Sequence, residues 1–406
     1  MKTVAIISEY NPFHTGHEYQ IKKIREEFGQ DTRIVAIMSG NYTQRGEIAI
    51  MDKSTRAKCA VKCGVNLVLE IPFPYSASSA EFFASSGVKI ANELGVVDFL
   101  SFGSECGSID ELIQVSKNML DPEYTAAVIN SAEMREVGYP EQCERIYREL
   151  FNEKISKSFF SPNNILALEY IKAIISFNSN IKPHTIPRNG ASYSEKEITD
   201  SPHQSASAIR ELLAKDFNSA AKYLPYISVD VLTNEYDDLS YPTDADKLSS
   251  AIISHFRLNS PDMQSNIHDA KGGLYNRLYN ASFKANTLSS LITLAGTKKY
   301  TAARIRRAIW YSFFGVTSST VKELPAYSQV LAMDEVGMTI LKEVKKISAF
   351  HILTKPSDYS SLSDAAKSQK VLSDKADSIF HLAKPNPPSG STSLLTSPYV
   401  MKKSIS

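Results

Sequence analysis

Over the first 104 residues, short apolar runs alternate with amphipathic stretches. VAIISEY (4–10), RIVAIMSG (33–40), NLVLEIP (66–72) and VVDFLSFG (96–103) are continuous apolar runs with polar or glycine-bearing segments between them. Continuous hydrophobicity predicts strands buried on both faces. After the first run, Ile21, Ile24 and Phe28 recur at helical spacing. Asp52 suits the cap of a second helix that ends near Gly64. Ala80 to Leu94 reads as a third helix, with Phe83, Ile90 and Leu94 on one stripe and Gly95 as its stop. Strands and helices in alternation, joined by short connections, predict parallel βαβ units in an open, doubly wound sheet.

From Ser108 to about Ile175 the pattern is helical and more polar. KPHTIPR (182–188) predicts one more strand, and SASAIRELLAK (205–215) a helix with Ser205 near its cap. The α/β domain is thus expected over residues 1–220. After Tyr223 the strand signal fades. SSAIISHFRL, GLYNRLYNASF, TAARIRRAIWYSFFG and GMTILKEVKKI all carry helical periodicity, which predicts a mostly helical domain over 225–380. KPNPPSGSTSLLTSPY is rich in Pro, Ser and Gly, so residues 381–406 read as an extended tail.

Composition narrows the class without naming a function. The 406 residues are 43% apolar and 22% charged, which excludes an acidic disordered chain, a collagen-like chain and a polycationic tail. No run reaches the roughly 18 apolar residues that a bilayer span needs, and the N-terminus is polar too early for a signal peptide. Cys59, Cys63, Cys106 and Cys143 lack metal-knuckle spacing and are too few for a disulfide scaffold. A reducing, cytoplasmic setting with no dedicated metal site follows. The net charge of +1 hides an asymmetry. Residues 271–322 carry nine Lys/Arg and no Asp or Glu, so the rest of the chain sums to −8. Within that segment Lys298, Lys299, Arg304, Arg306 and Arg307 accompany Tyr300, Trp310 and Tyr311, a mixture suited to RNA phosphates and bases.

The strongest chemical signal is NPFHTGH, directly after the first strand and at the start of the first helix. The carboxyl end of a parallel strand faces the ligand crevice, and a helix N-terminus favours phosphate. His14 and His17, three apart, point to one side, and Gly16 lets backbone approach a ligand. Two imidazoles there can stabilise charge on a phosphate in flight. The motif resembles the H-x-G-H signature of the nucleotidyltransferase superfamily. SASAIR resembles the second phosphate element of that superfamily, with Ser207 and Arg210 at the pyrophosphate end. GNYTQRG (40–46), Lys53 and Arg56, FGSE (102–105), SPNNILALEY (161–170) and IPRNG (186–190) fall on the same predicted rim. Lys53 and Arg56, in the first turns of a helix, suit either an anionic partner or a solvated face.

A closer resemblance runs through MSGNYTQRGE, DKSTRAKCAVKCGVNLVLEIPFPY, FLSFGSE, SPNNILALEY and ASAIRELL, in that order, and more loosely through GGLYNRLYNAS and KKYTAARIRRAI. These blocks resemble the bacterial tRNA(Met) cytidine acetate ligase family. The resemblance implies an enzyme that activates acetate with ATP, Mg²⁺ accompanying the nucleotide, and passes the acetyl group to the wobble cytidine of elongator tRNA(Met). It implies His14, His17, Ser207 and Arg210 as catalytic. For ATP it implies Ile7, Ser8, Glu9, Tyr10, Asn11, Pro12, Phe13, His14, Thr15, Gly16, His17, Glu18, Tyr19 and Gln20, with Gly103, Arg188 and one of Asn163 and Asn164. No membrane and no protein partner are expected, and nothing in the sequence singles out a general base. Two other classes stay open: a small-molecule adenylyltransferase without RNA, and a non-catalytic RNA-binding protein on a nucleotide fold.

Overall fold

The computed structural model describes residues 1–131, 139–151, 159–187, 204–237, 240–263, 266–388 and 397–402. Five strands, β1 (Thr3–Ser8), β2 (Arg33–Ser39), β3 (Leu67–Ile71), β4 (Phe99–Ser104) and β5 (Lys182–Pro187), run parallel in the order β5-β4-β1-β2-β3. The chain steps outward from β1 to β3, then crosses to the far side of β1. That reversal places a switch point between β1 and β4, where open α/β sheets bind ligands.

The continuous apolar runs have the expected cause. Val4 and Ile6 of β1 share a core with Ile21, Ile24, Ala57 and Val61, from α1 (Thr15–Phe28) and α2 (Lys53–Lys62). Ala5 and Ile7 share another with Phe83 and Val88 of α3 (Ala80–Glu93), Leu112 and Ile171. Each strand therefore needs apolar side chains on both faces.

Beyond Tyr223 the periodicity predicts helices alone, and here the chain departs from it. β6 (Tyr327–Met333) lies antiparallel against β3, with Leu67 opposite Met333. β7 (His351–Leu353) and β8 (Tyr399–Val400) pair parallel to β6. The sheet is mixed and mostly parallel, and is not confined to the first 220 residues. YSQVLAM is only seven residues long and sits between two strongly periodic helices, so its strand character is masked. Its placement also covers the otherwise open edge of β3. Much of the rest of 225–388 supplies a third, mainly helical core, including Ile252, Leu274, Leu291, Ile305 and Trp310.

Lys53 and Arg56, readable from sequence as rim cations facing solvent or a ligand, lie inside the molecule. Lys53 Nζ bonds both Glu70 oxygens at 2.7 and 2.8 Å and Asp377 at 2.6 Å. Asn41 donates to the other Asp377 oxygen and accepts the Lys53 N–H. Asp377 belongs to the helix Asp364–His381, so one ammonium group joins β3, α2 and the last long helix of the chain's described part. Burial works against the Lys53 charge, but the two carboxylates outweigh it and hold its pKa above the usual lysine value. Lys53→Ala leaves both acids buried without a cation. The expected loss is about 3–5 kcal/mol, read as a lower denaturation midpoint, with Lys53→Arg losing less.

Candidate active site

A cavity opens at the carboxyl ends of β1 and β4. Ile7, Ser8, Glu9, Tyr10 and Asn11 form one wall, and Phe102 and Gly103 face them. His14, Gly16, His17, Tyr19 and Gln20 close one end, and Asn163 lies on the rim. Phe83, Leu166, Tyr170, Ile186 and Pro187 give it apolar surface. This division suits a nucleotide, with a flat base against carbon and phosphates near donors.

The two histidines sit as the sequence predicts. His14 is the N-cap of α1, and its Nδ1 accepts the Gly16 N–H at 3.0 Å. His17 Nδ1 accepts the His14 N–H at 3.2 Å, completing a reciprocal cap. The ring centroids are 3.9 Å apart. A ring nitrogen that accepts a hydrogen bond carries no proton, so each imidazole presents Nε2 as its N–H. The pair is a donor pair at a helix N-terminus, the polarity that phosphate requires. Gly16 lines the cavity and serves a second purpose besides. A Cβ there would lie 2.8 Å from His14 Cε1, so the missing side chain makes room for the imidazole.

Of the residues expected around the nucleotide, Pro12, Phe13, Thr15 and Glu18 do not line the cavity. Phe13 is buried beneath the rings, 5.4 Å from His17, and Glu18 is exposed. The two asparagines have distinct places. Asn164 Oδ1 accepts the N–H groups of Glu105 and Cys106, bracing the turn after β4 from behind. Asn163 lies on the cavity side and donates to Glu105. Arg188 lies outside the described residues.

Ser205 caps the helix Ala206–Lys215, as its position predicts. Arg210 reaches back to the first motif and donates to Asn11 O at 3.0 Å. It also holds Ser207 Oγ and pairs with Glu47 at 3.0 Å. Glu47 pairs in turn with Arg306, at 3.2 Å. The loop GNYTQRG (40–46), placed by its sequence on the ligand-facing rim, packs against the helix Ala302–Phe314. Trp310 Nε1 donates to Gly46 O at 2.8 Å. Gly46 has φ +71°, and a Cβ there would lie 2.7 Å from Arg307 N, so only glycine allows this approach. Gln44 of this loop does reach the cavity.

The basic segment divides in two. Lys298 and Lys299 are exposed. Arg307 is only 8% exposed and bonds Asp269 at 2.6 Å, while Arg304 donates to Asp269 O and lies over Tyr300. Tyr300, Trp310 and Tyr311 pack inward. Sequence reasoning missed Phe83, Leu166, Tyr170 and Gln204 in the cavity wall. The three apolar ones look like ordinary core positions in sequence, and Gln204 sits one residue before a motif that carries the attention.

Comparison with known proteins agrees with this geometry. The family described as HIGH Nucleotidyl Transferase matches residues 1–392. The tRNA(Met) cytidine acetate ligase of Thermoanaerobacter sp. (strain X514) is 35% identical over 370 residues, 88% of this chain and 90% of that protein. That of Clostridium perfringens (strain ATCC 13124) is 34% identical over 402 residues, 95% of this chain and 96% of the relative. The crystal structure of Thermotoga maritima TmcAL bound with alpha-thio ATP superimposes with a TM-score of 0.90 at 28% identity, covering 99% of this chain and all of that one. A switch-point cavity, a helix capped by paired histidines and likeness over almost the whole length lead to one assignment: the chain belongs to the HIGH nucleotidyl transferase family, among the tRNA(Met) cytidine acetate ligases.

Proposed function

We propose that the protein acetylates the wobble cytidine of elongator tRNA(Met), forming 4-acetylcytidine, with ATP and acetate as co-substrates. The observation that carries this reading is the donor pair His14–His17 at the switch point, on a chain alike over its length to ligases of that name. A carboxylate is a poor acyl donor because its oxygen leaves badly. Attack of acetate on the α-phosphate releases pyrophosphate and gives acetyl-adenylate, whose leaving group is AMP. The enzyme has to bring two anions together and offset their repulsion. His14 and His17 Nε2 donors, the start of α1 and the Arg210–Ser207 pair serve that end. Asn11 adds a buried amide Nδ2 with no hydrogen-bond partner among the described residues.

In this reading Asn163 is the asparagine that meets the nucleotide. Mg²⁺ arrives with ATP. Bound with the nucleotide, the ion would take phosphate oxygens and water among its ligands; among the described residues no group of three His, Cys, Asp or Glu side chains could hold a metal ion. In this reading residues 1–220 contribute the nucleotide site and 225–380 the grip on tRNA, while the expected tail 381–406 returns Tyr399–Val400 to the sheet beside β6. Among the described residues no helix is long and apolar enough to cross a membrane, and a cytoplasmic location suits the substrate and the free thiols.

Incubation with ATP, labelled acetate and total tRNA should put label into 4-acetylcytidine. Label only in a small adenylated product would instead indicate an adenylyltransferase without RNA. His14→Ala should slow acetate-dependent pyrophosphate release by about 10²–10³-fold, with stability falling only by the lost helix cap, about 1 kcal/mol. Gly16→Ala should approach the same loss by displacing the ring, although it removes no polar group. For tRNA, Lys298→Ala with Lys299→Ala should weaken binding and lower the salt dependence, by roughly 1.5 in the slope of log K against log salt. An unchanged slope would remove these lysines from the interface.

A further inference from the structure

We propose that Glu9 is the catalytic base of the acetyl-transfer half-reaction, the group that takes the proton from the cytosine amine. The inference rests on the acetate-ligase reading above. In this step the N4 lone pair attacks the carbonyl carbon of acetyl-adenylate. The bond from that carbon to the phosphate oxygen breaks, its electron pair leaves with AMP, and one N4 proton passes to the Glu9 carboxylate and then to solvent. The second N4 proton stays on the amide product.

Three observations converge on this residue. Glu9 is the only carboxylate among the described residues that line the cavity. The imidazoles there are donors: both Nδ1 atoms accept backbone N–H groups, which leaves protons on Nε2 and no basic nitrogen for the amine. Glu9 also touches the loop that connects the cavity with the helical region. Its Oε1 accepts the Gln44 N–H at 2.9 Å, and Gln44 belongs to the loop seated on the helix Ala302–Phe314. Oε2 has no hydrogen-bond partner among the described residues. Arg56 fixes the Glu9 carbonyl from behind, so the side chain springs from a rigid point.

Burial leaves the carboxylate more basic than usual, and its cationic neighbours only temper that. Burial raises its pKa above the ordinary glutamate value, Arg210 and Arg45 oppose that rise, and Glu47 adds to it. A carboxylate more basic than usual suits proton removal from a weak nucleophile.

The test separates the two half-reactions. Glu9→Gln keeps an acceptor for the Gln44 N–H and should lower acetyl transfer by at least 100-fold. ATP–pyrophosphate exchange with acetate should fall less than tenfold. Wild-type transfer should decline as pH drops through the Glu9 ionisation, and the residual Glu9→Gln transfer should lose that limb. Glu9→Asp, with a shorter carboxylate, should restore part of the transfer together with the limb. Equal losses in exchange and transfer would overturn the proposal and assign Glu9 to ATP or its metal ion. So would an unchanged pH limb. Failure of the underlying reading is a different result: wild type itself then forms no 4-acetylcytidine.

Discussion

The site depends on the buried guanidinium of Arg56. Arg56 is fully buried and donates to the carbonyl oxygens of Glu9, Gly40 and Met51. Glu9 follows β1, Gly40 follows β2, and Met51 precedes α2. One cation therefore gathers the two connections that leave the sheet at its carboxyl edge after β1 and β2, the second of them at both its ends. Such segments carry carbonyl groups with no ladder partner, and a guanidinium supplies several donors in a fixed plane. Burial pushes the Arg56 pKa down to about 10, with Asp52 and Glu9 acting the other way, so it keeps its charge at neutral pH. One turn earlier, Lys53 ties the same edge to Glu70 and Asp377. The rim of the cavity is held from inside the protein.

This arrangement makes the C-terminal half part of the site's support. The loop 40–47 starts at a carbonyl held by Arg56 and lies on the helix Ala302–Phe314 through Gly46 and Trp310. Tyr311 donates to Ala77 O, and Tyr42 to Ala376 O. Glu47 then stands between Arg210, from the second phosphate motif, and Arg306, from the helical region. A charge arriving at either arginine changes the field at the shared carboxylate. In the proposed reading, with tRNA held on the helical side, this shared carboxylate links it to the nucleotide site.

How much of this was legible depended on which signals are local. The five parallel strands and their helices were, because two-sided burial writes itself as continuous apolar runs within a few residues. The histidine pair was legible too, since a cap and a three-residue spacing are local geometry. Lys53 and Arg56 were not. A cation in the first turn of a helix normally marks an external anion or solvent, and the partners of Lys53 are 17 and 324 residues away. β6 was hidden for the same reason: its seven residues gain their strand partner from β3, which lies far upstream. The basic segment was half legible, because composition counts charges but does not reveal that Arg307 is already paired with Asp269.

The family's two half-reactions make opposite demands on one cavity. Forming acetyl-adenylate calls for donors and positive potential around phosphate. Consuming it calls for a proton acceptor near the amine, in a place where any carboxylate repels ATP. The structure meets both by separating them along β1 and its turn. The histidine donors face inward from the helix start, while Glu9 stands at the strand end, beside the loop that leads to the helical region. Arg210 lies close enough to temper the Glu9 charge. Without it, the carboxylate would burden the first half-reaction with repulsion. With a direct ion pair instead, it would lose the basicity that the second half needs. A cation that pairs with Glu47 and acts on Glu9 only through space satisfies both conditions.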